Sequence, residues 1–148
     1  MQTKLLHEAS GGQRTFAVVL ATGDEVLSSL QDFAERENIH AATFTAIGAL
    51  SDAVVLYFNW EKKAYEKNPV REQVEVAALI GDVADDRKGK PTLHVHVVLG
   101  TRDGGAKAGH LGEAHVRPTL EVIVTESPIH LRKIKDNESG LALIRPAA

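Results

Sequence analysis

The stretch Pro91-Thr-Leu-His-Val-His-Val-Val-Leu-Gly100 is the best-marked strand in a chain that alternates in this way repeatedly. A strand sends successive side chains to opposite faces, so Leu93, Val95, Val97 and Leu99 share one apolar face. His94 and His96 leave from the other face, roughly 7 Å apart at the backbone from the strand rise. Two imidazoles at that spacing can reach one metal ion without distorting the backbone.

Downstream, Thr101-Arg-Asp-Gly-Gly-Ala-Lys-Ala-Gly109 is rich in glycine and leads into His110-Leu-Gly-Glu-Ala-His115. A loop that bends sharply there would return His110 beside the pair. His115 is the alternative third ligand, although it lacks the flanking glycine. Three neutral nitrogen ligands suit zinc best, with iron, nickel or copper as alternatives. Such a set leaves a coordination position open to water or a substrate, the pattern of catalytic rather than closed structural sites. The chain has no cysteine, so thiolate sites, disulfides and a cysteine nucleophile are excluded. A cupin site would need a Glu four or five residues after the second His, where Gly100 and Thr101 stand. Of the carboxylates nearby, Asp103, Glu113 and Glu121, the last lies on an otherwise apolar strand. Glu121 is a candidate to orient a ligand histidine or to act as a base, or else it faces solvent. His7, His40 and His130 have no supporting context and read as surface or ordinary packing residues.

Upstream, Arg14-Thr-Phe-Ala-Val-Val-Leu20 reads as a strand, and Thr22-Gly-Asp-Glu25 as a capping box with Thr22 as the cap. Val26, Leu27, Leu30, Phe33 and Ala34 recur at helical spacing, and Asn38 is the expected stop. Residues 41–47 and 53–59 read as two neighbouring strands joined by a tight connection at 48–52. A short hairpin follows at 60–65, a turn at Asn68-Pro69, and a strand from Val70 to Ile80 ending at Gly81. Residues 82–90 read as a polar loop. Beyond Pro118 come strands at 119–125, 129–135 and 141–144, the last two separated by a turn at 136–140. The expectation is an α+β fold of seven or eight strands with one main helix packed on a largely antiparallel sheet. No repeat or boundary interrupts the chain, which reads as a single domain over 1–148 with its core at about 14–135.

Composition sets further bounds. At 148 residues, 43% hydrophobic and 25% charged, the chain reads as an ordinary globular protein. No apolar run approaches the roughly 18 residues of a membrane span, and residues 1–8 lack a secretory core. A cytoplasmic location is the expectation. The net charge of −3 argues against a phosphate-neutralising face, and Arg87, Lys88 and Lys90 follow directly on Asp82, Asp85 and Asp86. Tyr57, Phe58, Trp60 and Tyr65 lack basic interleaving, so core and subunit-contact roles outweigh base stacking.

The order of motifs resembles the plants and prokaryotes conserved (PPC) domain, also called DUF296, over roughly 14–135. The supporting segments are Thr22-Gly-Asp-Glu-Val-Leu27, Ile47-Gly-Ala-Leu-Ser-Asp52, Val76-Ala-Ala-Leu-Ile-Gly81, Leu93-His-Val-His96, Gly109-His110-Leu111 and Thr119-Leu-Glu-Val122. The resemblance implies a homotrimer of α+β domains with a metal site, usually taken as zinc, at His94, His96 and His110. Plant members join the domain to AT-hooks that grip DNA, and single-domain prokaryotic members carry a provisional DNA-binding name by that kinship. This chain has no Arg-Gly-Arg-Pro core. The expected function is therefore a trimeric metal-binding protein of undefined activity, open to a small ligand. The alternative is a DNA-binding, regulatory or scaffolding module acting through the trimer surface.

Overall fold

The computed structural model describes residues 1–146. Its elements are β1 (Gln2–Glu8), β2 (Arg14–Ala21), α1 (Val26–Arg36), β3 (Ala41–Asn59), β4 (Ala64–Val70), β5 (Val74–Asp85), β6 (Pro91–Gly100), β7 (Ala106–Glu126), β8 (Lys133–Lys135) and β9 (Ala142–Ile144). Seven strands form one antiparallel sheet in the order β1-β2-β7-β6-β5-β3-β4, and β8 pairs with β9 in a separate small hairpin. The fold is α+β and antiparallel, as the strand count and short connections imply. A further pairing of β7 with β3 closes β7, β6, β5 and β3 into a ring, which the sequence did not suggest.

The core is filled by alternation. On β2, Phe16, Val18 and Leu20 point inward, and on β6 Val95, Val97 and Leu99 do the same. Helix α1 buries Val26, Leu30, Phe33 and Ala34, and packs on β6 and β7. Phe33 meets Phe16 edge to face, with ring centroids 5.4 Å apart. Asn38, past the helix end, has φ 55° and turns the chain into β3.

Several boundaries differ from expectation. The helix cap is Glu25, not Thr22: Glu25 accepts the Ser28 N–H at 2.7 Å, and Thr22 instead donates to the Pro118 carbonyl. Residues 48–52 do not connect two strands, because β3 runs unbroken for 19 residues. Its pairings shift register near Gly48, so the chain bulges there rather than reversing. Asn68 and Pro69 lie inside β4 instead of forming a turn. β4 is an edge strand, where a missing N–H is tolerated. Asp82 to Asp85 extend β5 beyond Gly81. β7 is a single strand of 21 residues that runs through Pro118, whose peptide with Arg117 is cis. The strand expected at 129–135 shrinks to β8, and residues 2–8, read only for the absence of a leader, form β1.

Candidate metal centre

His94 and His96 leave the outer side of β6 while Val95 and Val97 enter the core. The third imidazole comes from the neighbouring strand rather than a loop, because β7 already begins at Ala106 and His110 is the Cα partner of His96. Directly paired residues in an antiparallel ladder project to the same side. The three ring centroids stand 5.0, 5.2 and 5.4 Å apart. One donor nitrogen of each ring lies within 4.8 Å of the others.

A bulge is what turns His110 outward. Counting back along β7, Leu120, Val116 and Ala114 face the core, so simple alternation would send residues 112 and 110 inward as well. The pairing with β3 instead passes from Val54–Glu113 to Val55–Leu111, leaving Gly112 unmatched. The extra residue exchanges the faces, so Leu111 is buried and His110 joins the pair on β6. Glycine suits both neighbours of Leu111 and His110 sterically. A Cβ at Gly112 would stand 2.9 Å from the Leu56 side chain, and one at Gly109 would stand 2.7 Å from the Leu56 carbonyl oxygen.

The surroundings favour neutral rings at His96 and His110. Burial lowers the pKa of His110 to about 4, helped by the nearby His94, His96 and Lys133. Burial and His94 lower that of His96 as well. Nδ1 of His110 is buried and has no hydrogen-bond partner, which is costly unless something else satisfies it. Asp82, the Cα partner of His94 on β5, places Oδ2 3.4 Å from His94 Nδ1. Burial pushes the Asp82 carboxyl up, but His94 and Lys133 outweigh it and hold the group below the ordinary range. The Lys133 ammonium, buried in β8, is 2.8 Å from Asp82 Oδ1 and donates to the Thr92 carbonyl at 3.2 Å. A carboxylate facing Nδ1 keeps the proton there and leaves Nε2 of His94 as the donor. Neutral rings, an orphaned imidazole nitrogen and an orienting carboxylate fit a divalent transition ion.

Beside the histidines opens a cavity of about 600 Å³, walled by Leu56, Phe58, Tyr65, Leu93 and the β8–β9 hairpin. The Tyr65 ring lies 4.9 Å from that of His110 at 32°, and Phe58 packs on Tyr65 at 5.3 Å. The aromatic group is not part of the core, since Tyr57, Trp60 and Tyr65 are exposed. Two other sequence candidates lie elsewhere. His115 pairs with Asp52 at 2.8 Å and is not grouped with His94 and His96. Glu121 is exposed further along β7, opposite Val19 and Ile47. The carboxylate beside the histidines is Asp82, which lies on β5 and not in the polar loop expected at 82–90. Its signal was the even spacing from Ile80 on a strand beside His-x-His. Lys133 left no signal in sequence.

Residues 7–128 match the model of the Plants and Prokaryotes Conserved (PCC) domain. The chain belongs to that family. No protein with a curated description matches it. Among solved structures, a metal-containing protein of Archaeoglobus fulgidus is 36% identical with a TM-score of 0.81, covering 88% of this chain and 92% of its own. A plant- and prokaryote-conserved protein of Pyrococcus horikoshii is 30% identical with a TM-score of 0.82, covering 97% and 94%. A protein of Ralstonia eutropha with a provisional DNA-binding name is 28% identical with a TM-score of 0.82, covering 94% of each chain.

Proposed function

We propose that this PCC domain is a metal-binding domain in which His94, His96 and His110 hold a divalent transition ion, zinc by preference, beside a cavity for a small organic ligand. The observation that carries this reading is the convergence of three imidazoles from two strands, with the buried His110 Nδ1 left without a partner. The metal content named for the Archaeoglobus relative supports it. An ion held by three histidines supplies an electrophilic centre with an exchangeable position for water or a ligand oxygen. Asp82 orients His94, Lys133 steadies Asp82, and the Phe58–Tyr65 wall takes the apolar body of the ligand. The apolar wall argues against a highly charged ligand.

The active unit in this reading is a homotrimer. Ile47, Ile80 and Ile123 are 63%, 58% and 46% exposed on the outer side of the sheet. Ile80 is paired with His96, so that face adjoins the metal centre. Isoleucines exposed in this number on one face favour burial against another copy.

Metal analysis of untagged protein tests the reading. One zinc per His94/His96/His110 set is expected, with a loss of at least 100-fold in affinity in His94→Ala. Binding at this set that is unchanged in His94→Ala would refute it. The second reading, a DNA-binding module, draws on the name of the Ralstonia relative. It requires duplex binding that weakens steeply with salt; the net charge of −3 argues for no binding even at low salt.

A further inference from the structure

Two histidines without context in the sequence, His40 and His130, meet on a buried carboxylate. His40 lies between α1 and β3, Asp85 ends β5, and His130 lies in the segment after β7. The Asp85 side chain is only 6% exposed. His40 Nδ1 is 2.7 Å from its Oδ1, and His130 Nδ1 is 3.7 Å from its Oδ2. The two rings stack with centroids 4.7 Å apart and 22° between planes. Among the described residues no Lys or Arg pairs with Asp85, so its charge is met by these imidazoles alone.

We infer that His40, Asp85 and His130 form a second divalent transition-metal site, independent of the first. Donors in adjacent positions on an ion with bonds of about 2.1 Å stand about 3.0 Å apart in octahedral and about 3.4 Å apart in tetrahedral geometry. One donor atom of each of the three residues lies within 4.8 Å of the others, and the two imidazoles approach opposite oxygens of the carboxylate at 2.7 and 3.7 Å. The far side of His40 suits a metal-bound ring. Its Nε2 faces Asn38 Oδ1, an acceptor, at 3.1 Å. A neutral ring that donates from Nδ1 to Asp85 would turn a lone pair on that oxygen. A ring with its Nδ1 lone pair on a metal carries its proton on Nε2 and donates to Asn38, as ligand histidines commonly do to a neighbouring acceptor. An imidazolium would also satisfy both contacts, but its charge would lie against a second stacked imidazole. The backbone is already braced, because the Asp85 N–H donates to the Leu131 carbonyl at 2.8 Å. The ion would join the α1–β3 junction, the end of β5 and the segment that leads to Lys133. Two imidazoles and one carboxylate suit zinc, nickel, cobalt or ferrous iron.

Zinc titration of untagged protein, followed by metal analysis after desalting, tests this. The exposed His130→Gln is the primary variant, and the expectation is one zinc fewer per chain than in the native protein. Asp85→Asn should lose the same ion, and a His94→Ala/His96→Ala/His110→Ala chain should keep it, so failure of one site is distinguishable from failure of the other. In nitrogen NMR with excess zinc, His40 should be a neutral ring protonated at Nε2. Unchanged stoichiometry in folded His130→Gln, or an imidazolium at His40 under excess zinc, overturns the inference.

Discussion

A histidine in this site is defined by what surrounds its ring rather than by its motif. His110 has a pKa lowered from 6.5 to about 4, chiefly by burial. Between those values the unfolded chain binds a proton that the folded metal-free chain does not, so this contribution to stability is full above pH 6.5 and is lost as pH falls toward 4. Denaturant titrations of metal-free protein should show stability declining across that window, with a shallower decline in His110→Gln. The ring resonance of His110 should titrate near pH 4; a midpoint near 6.5 would contradict the burial argument. The His-x-His pair was legible in sequence because strand alternation alone places it. Asp82 and Lys133 were not, because their approach depends on which strands become neighbours.

At the scale of elements, the helix shows how a local rule can be right in kind and wrong by position. Thr22 and Glu25 satisfy the capping-box pattern, but Gly23 has φ 89° and turns the chain before a Thr22 cap can form. Glu25 takes the cap alone, and its other oxygen accepts the Ala114 N–H at 3.2 Å, tying the helix to β7. Glu25→Ala should therefore lower stability by about 1 kcal/mol, whereas Thr22→Ala should change it by less than about 0.5 kcal/mol. Chemical denaturation of the two variants checks the order. The same limit explains β3 and β7. Glycine and proline read as breaks in sequence, but Gly48 is paired on both sides within β3, and Pro118 falls at an unpaired, irregular position inside the continuous β7. Neighbours in space overrode punctuation in sequence.

At the scale of the whole molecule, the sheet closes into a ring and leaves an isoleucine-rich outer face next to the histidines. Antiparallel α+β architecture was legible because short connections exclude parallel pairing. Closure was not, because it depends on β3 and β7 being continuous. Ile80→Asp should leave the protomer's thermal midpoint little changed, since Ile80 already faces outward, while shifting sedimentation from the proposed trimer toward monomer. A trimer that survives this substitution would place the assembly face elsewhere. Among the described residues no helix is long and apolar enough to cross a membrane.

The unmatched glycine in β7 has a consequence for how such centres arise and vanish. Whether His110 meets its two companions is settled by whether the strand bulges before it, not by its distance from the buried residues beyond it. The three histidines can therefore all be present while the proposed centre is not, if Gly112 is paired in regular alternation and the bulge is lost. A family comparison that scores only which side chains are kept will count such a chain as competent. The bulge at Gly112 belongs to the proposed metal signature as much as the histidines do.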